Sequence, residues 1–137
     1  MKRKSFIVGI MLLCILLIGS TAFADQSYNF TFSNFKTLDT NVATKSNPYG
    51  SSYTLYITSA STLSTYNVFG ARPKSKDSGS FQFVGSYYTY TSITPSTGVS
   101  HSYYNDKFPI YTIVFGMKKD DSSVTATPLY VEGSFRP

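Results

Sequence analysis

From Tyr28 onward one pattern keeps returning: an apolar or aromatic residue at every second position, with Ser, Thr or Asn between. Tyr28, Phe30 and Phe32 fall on one side of such a run, and Asn29, Thr31 and Ser33 on the other. Tyr53, Leu55 and Ile57 alternate with Thr54, Tyr56 and Thr58 in the same way. A period of two sends successive side chains to opposite faces of an extended chain, so each run predicts a strand with one buried and one wet face. The pattern recurs at Tyr66 and Val68 against Asn67 and Phe69, and at Phe81, Phe83, Tyr87 and Thr89 against Val84, Tyr88 and Tyr90. Val99, His101 and Tyr103 repeat it more weakly. Leu129, Val131 and Phe135 repeat it against Tyr130, Glu132 and Ser134. The run from Ile110 to Met117 is apolar on both sides, as a strand inside a sheet requires.

Between the runs stand residues that reverse a chain: Asn47-Pro48-Tyr49-Gly50, Lys76-Asp77-Ser78-Gly79, Thr94-Pro95-Ser96-Thr97-Gly98, Asn105-Asp106 and Lys118-Lys119-Asp120-Asp121-Ser122-Ser123. All 12 Tyr and nine of the 11 Phe lie beyond residue 24, with a single Glu, a balance that favours pleated sheet over helix. No segment there has helical periodicity. The expected fold is all-β: a single β-sandwich or small barrel of about six or seven antiparallel strands, forming one domain over residues 25–137.

Residues 1–24 obey different rules. Met1-Lys2-Arg3-Lys4 is a cationic head, Phe6 to Ile18 is an apolar run, and Ala22-Phe23-Ala24 is a small-x-small exit that would leave Asp25 as the new N-terminus. Together these are the parts of a secretory signal peptide. The apolar run of 13 residues is shorter than the roughly 20 that span a bilayer, so no membrane span is expected in the mature form. Cys14, the sole cysteine, falls inside this segment, leaving residues 25–137 without disulfide, thiolate metal site or cysteine nucleophile. The formal charge of +5 falls to +2 once the leader is set aside, nine basic residues against seven acidic. A nucleic-acid partner is therefore not expected.

Few side chains in the mature segment suit catalysis. His101 is the only histidine, which excludes a His-rich metal site, and no serine has the context of a nucleophile elbow. A relay of serine, His101 and one of the Asp residues is the sole hydrolase arrangement available. Most of the seven acids sit in expected turns, away from any glycosidase-like pairing. Lys118-Lys119-Asp120-Asp121 lacks the spacing of a calcium loop and reads as a solvated hairpin tip with self-compensating charge. The tyrosines carry more weight. Tyr87, Tyr88 and Tyr90 crowd one expected strand and Tyr103-Tyr104 another, and alternation sends Tyr87 to one face and Tyr88 and Tyr90 to the other. Rings left exposed there would stack on sugars or pack on a partner; rings turned inward would pair across strands and stabilise the sheet.

The Ala22-Phe23-Ala24 exit, the Tyr28–Phe32 run, Asn47-Pro48-Tyr49-Gly50 and the ending Tyr130-Val131-Glu132-Gly133-Ser134-Phe135-Arg136-Pro137 resemble an uncharacterised family of small, cysteine-free exported proteins of Gram-positive bacteria. In that family an Asn-Pro-aromatic turn precedes a last strand of the form Val-x-Gly-x-aromatic-x-Pro; Tyr49 and Phe135 stand where its members more often have Trp. The resemblance implies a role around bacteriocins or envelope stress and brings no catalytic residues.

The expected function is accordingly a secreted, monomeric, non-enzymatic interaction protein. It would need no cofactor or metal and would act at or outside the bacterial envelope on an envelope component or a secreted peptide or protein, in bacteriocin defence or antagonism. The alternative is a carbohydrate-binding module using Tyr87, Tyr88, Tyr90, Tyr103 and Tyr104.

Overall fold

In the computed structural model, residues 25–34, 36–40, 43–45, 49–75, 80–104 and 112–137 are described; the expected leader with Ala22 and Ala24, and the turns at 47–48, 76–79 and 105–106, lie outside the described residues. The alternating runs build two antiparallel sheets packed face to face, an all-β sandwich. The first sheet has the order β1 (Gln26–Phe32), β10 (Leu129–Arg136), β4 (Ser52–Ser61), β8 (Val99–Ser102). The second runs β2 (Thr37–Asp39), β9 (Thr112–Lys119), β5 (Phe69–Ser75), β6 (Gln82–Phe83); β3 (Ala43–Thr44) also pairs with β9, and β7 (Tyr88–Tyr90) with β5. The described strands number ten against the six or seven expected, because β2, β3, β6 and β7 are pieces of two or three residues. Among the described residues no helix is long and apolar enough to cross a membrane.

The face assignments follow the alternation closely. Tyr28, Phe32, Tyr53, Leu55, Ile57, Leu129, Val131 and Phe135 of the first sheet are buried against Phe69, Ala71 and Met117 of the second. Phe69 joins the layers, its ring 6.5 Å from Tyr28 and 6.0 Å from Phe32 across the interface. Each such fully buried side chain contributes about 1.5–3 kcal/mol. The strand expected from its two-sided apolar character, β9, does run inside its sheet, with β2 and β3 on one side and β5 on the other.

Gly133 explains the glycine in the last strand. A methyl group there would lie 1.9 Å from the Tyr56 carbonyl oxygen and 2.6 Å from the Tyr28 hydroxyl, which crosses this point to donate to that carbonyl at 2.7 Å. The register of β10 against β4 shifts at Glu132/Gly133, where Thr58 is the extra residue of a bulge that bends β4.

Two expectations need correcting. Tyr66–Phe69 is not a strand. Ser64 and Asn67 exchange backbone hydrogen bonds of 3.2 Å, the Ser64 hydroxyl accepts from the Tyr66 amide, and the extended chain begins only at Phe69. Nor is Lys118-Lys119-Asp120-Asp121 a solvated tip throughout: Lys118 and the exposed Asp121 compensate each other as expected, but Lys119 and Asp120 are buried. β9 continues through Lys119, whose inward parity buries it fully, and its ammonium donates to the Thr125 and Thr127 carbonyls. The turn starts at Asp120 instead, itself only 7% exposed.

β5 looks unlike an inner strand in sequence because Pro73 interrupts Ala-Arg-Pro-Lys. The carbonyl of Pro73 accepts from the Val84 amide at 3.1 Å, so its missing N–H points toward the same neighbour, where β6 and β7 are separated. The ladder to β9 is untouched. Gly85 gives the pyrrolidine room, a methyl there lying 2.7 Å from the Pro73 ring, and also bridges to Tyr103 beside the first sheet.

Candidate functional site

The tyrosines singled out by crowding divide among three places. Tyr88 and Tyr90 pair with Ala71 and Phe69 and therefore face inward, while Tyr87 faces out. Inward, at the mouth where the two sheets meet, Tyr88 stacks on His101 with centroids 3.7 Å apart and Tyr90 shares a 2.7 Å hydrogen bond with His101 Nε2. Tyr53 lies 5.6 Å from the same imidazole and 5.2 Å from Tyr103. Burial holds the His101 pKa below its ordinary 6.5 and pushes the Tyr90 and Tyr103 hydroxyls up. Tyr103 is core, only 4% exposed, with Lys45 over its ring. Tyr104, 39% exposed, is the one member of the five that presents an open ring. These side chains make no common platform. A serine relay through His101 would need the Nε2 that the Tyr90 hydroxyl occupies.

The surface with more chemistry is the outer face of the second sheet. Strand parity places Gly70, Arg72 and Lys74 of β5 outward, beside Gly116 and Lys118 of β9, with Thr37 and Asp39 of β2 beyond them. Two glycines leave the floor of this face bare, and long side chains lie across the gaps. Over Gly70 lies the phenol of Tyr87, where a methyl group would sit 1.6 Å from its hydroxyl oxygen; the hydroxyl donates to Asp120 Oδ2. Over Gly116 lies Lys74, whose ammonium pairs with Asp39 at 2.6 Å. Between the two crossings is an open cleft of about 480 Å³, lined by Arg72, Lys74, Phe83, Tyr87, Lys118 and Asp120 among others.

Three cations and three acids meet in this cleft, and two pairs of them are joined. Lys74 holds Asp39, and Lys118 holds Asp121 at 2.6 Å while passing over the Tyr87 ring. Asp120 accepts from Tyr87 and from the Ser122 amide and hydroxyl. Burial alone would raise its pKa; the bonds from Ser122 and Tyr87 and the charge of Lys118 outweigh this and hold it below the usual 3.8. The Tyr87 hydroxyl is pushed up by burial first and by Asp120 second, with Arg72 opposing. Arg72 alone among them has neither an ion pair nor a hydrogen bond. Its guanidinium carbon stands 3.2 Å from the centroid of the Phe83 ring, Nε is sealed from solvent without an acceptor, and no described residue forms a hydrogen bond or ion pair with it.

Neither crowding nor motif spacing singled out Arg72, Lys74 and Phe83. The signal that could have found them is the period-two order Gly70, Arg72, Lys74, small then cationic on one face, opposite the glycine of the Phe115-Gly116-Met117 run. Among the described residues no three His, Cys, Asp or Glu side chains converge as a metal site would require. The chain matches no family model, no curated protein and no solved structure.

Proposed function

We propose that this is an exported, non-enzymatic interaction protein that works by binding at or outside the cell envelope, and that its binding surface is the cleft on the outer face of the second sheet. The observation that carries the reading is Arg72: a guanidinium over an aromatic ring, lining a cleft, without a hydrogen bond or ion pair among neighbours that have one. Recognition sites place a few polar groups of this kind against an apolar wall to orient a partner. The cationic head, apolar run and Ala22-Phe23-Ala24 exit support export. A role in bacteriocin defence or antagonism is the setting in which such a binder would serve.

Retention of the purified protein on isolated envelope fractions tests the reading. Phe83→Ala, on a two-residue strand whose ring is 45% exposed, removes the wall at small cost to the fold and should abolish retention. Tyr130→Ala, on the outer face of the first sheet, should leave retention unchanged. No retention of the parent chain, or equal retention by the two variants, refutes it.

A further inference from the structure

Resting on that reading, we infer that the group recognised in the cleft is a single oxyanion, a carboxylate or a phosphate, docked on Arg72. A guanidinium carries five N–H donors in a planar fork that fits two oxygens of one anion. Among the described residues Arg72 spends none of them; Nε is sealed, which leaves the outer Nη groups for a partner, and the Phe83 centroid lies 3.2 Å from the guanidinium carbon. That close contact and the sealed Nε restrain the guanidinium before any partner arrives, which lowers the ordering cost of a bidentate contact through the Nη groups.

The surroundings decide how many charges the partner presents. Lys74 is the next outward residue along β5, and Lys118 is diagonal to Arg72 across the pair Arg72↔Gly116, so both ammonium stems rise within about 7 Å of the Arg72 backbone. Both ammonium groups already hold carboxylates, so their charge is spent locally and Arg72 is left as the primary contact. Asp39 at one side and Asp120 with Asp121 at the other bound the cleft with negative charge. A run of phosphates laid along this face would meet those acids at either end. One oxyanion at the middle meets Arg72 away from both sets of acids, and Phe83 offers an apolar contact to whatever carries it.

The test is a titration of the purified protein with inorganic phosphate and with acetate at constant ionic strength made up with chloride, followed by amide shifts. Saturable shifts on β5 and β9 with either anion are expected. Saturation by phosphate alone assigns a phosphate group, and by acetate alone a carboxylate. Arg72→Gln should weaken binding by about tenfold or more, the loss one charge-assisted contact carries, and Arg72→Lys by less. An Arg72→Gln spectrum unchanged outside the cleft shows that folding is intact. No saturation by either anion, or equal binding by Arg72→Gln, overturns the inference. Retention on envelope fractions that persists in Arg72→Gln and resists competition by both anions overturns it too while leaving the binding reading standing. Absence of retention in the parent chain removes the reading itself.

Discussion

Replacing Gly70 by alanine puts a methyl carbon 1.6 Å from the Tyr87 hydroxyl oxygen and 2.2 Å from the ring carbon that bears it. Gly70 lies in a strand with no left-handed backbone angle, so alanine itself is tolerated by the main chain. The ring must therefore leave. Its departure takes the hydrogen bond to Asp120, a bond to a charged acceptor that contributes about 1.5–3 kcal/mol. Against this, exchanging a mid-strand glycine for alanine returns roughly 0.5–1 kcal/mol of backbone entropy. The net loss is about 1–2 kcal/mol. In a Tyr87→Ala background the collision is gone, only the entropic gain remains, and the same substitution stabilises by about 0.5–1 kcal/mol. Urea unfolding of the four proteins of this cycle measures both numbers. With a slope of about 2 kcal/mol per M, a loss of 1.5 kcal/mol moves the midpoint by roughly 0.7 M. The decisive feature is the change of sign between backgrounds. If Gly70→Ala is neutral in the parent chain, or equally harmful in both backgrounds, then Tyr87 does not lie across Gly70 and the description of the cleft floor is wrong.

Three further outcomes follow from the packing. Gly133→Ala drives a methyl into the Tyr56 carbonyl, which is backbone and cannot step aside, so a loss of about 3 kcal/mol is expected in calorimetry; a melting temperature within two or so degrees of the parent would contradict the close crossing of Tyr28. The buried hydroxyl of Tyr103 has no partner among the described residues, so Tyr103→Phe should stabilise by about 1 kcal/mol, and a destabilisation of that size would show that the hydroxyl is satisfied. His101 has its pKa lowered by burial in the folded chain, so the unfolded chain binds its proton first. The stability this gives is whole above the unfolded value of 6.5 and is lost as pH falls through the lower folded value. Urea midpoints should drop on acidification from neutrality, and His101→Gln should flatten that drop; an unchanged pH profile in the variant would refute it.

The sandwich was legible because burial on one face imposes a period of two, and that period survives in β1, β8 and β10 and in β4 up to its bulge at Thr58. Even the inward turn of Tyr88 and Tyr90 and the outward turn of Tyr87 follow from it. What periodicity alone does not carry is whether an inward ring meets another sheet or open water. Tyr88 and Tyr103 both turn inward, yet Tyr103 is 4% exposed and Tyr88 only half-buried, because Tyr103 is held between the first sheet, through Ser51, and the bridge to Gly85. Tyr66–Phe69 failed for a related reason: alternation over four residues is too short to outweigh a serine that bonds its own turn. β5 stayed hidden because Pro73 forbids an inner strand unless its neighbour is broken opposite it, and that break exists only once β6 and β7 are in place.

The cleft was invisible for a deeper reason, since it is made by residues that contribute no side chain. Gly70 and Gly116 lie on adjacent strands, two residues apart in register, and leave bare floor on which Tyr87 and Lys74 lie flat. With those two side chains drawn aside to Asp120 and Asp39, Arg72 is left in the middle without a carboxylate of its own. A fold selected for stability alone would give that guanidinium an acceptor, because a sealed donor without one costs about 1–3 kcal/mol. Six charges on this face are arranged so that five are answered from within the chain, Asp120 by hydroxyls and the two lysines by acids. The sixth, Arg72, sits over Phe83 with no acceptor of its own, and its outer N–H groups are what a partner's oxyanion would meet. If the site were ordinary surface, Arg72→Leu would keep the contact with Phe83, remove the unanswered donor and stabilise the protein with no loss of retention on envelope fractions. Stabilisation accompanied by loss of retention is what a binding site predicts, because stability was then held below its attainable value for the sake of contact with a partner.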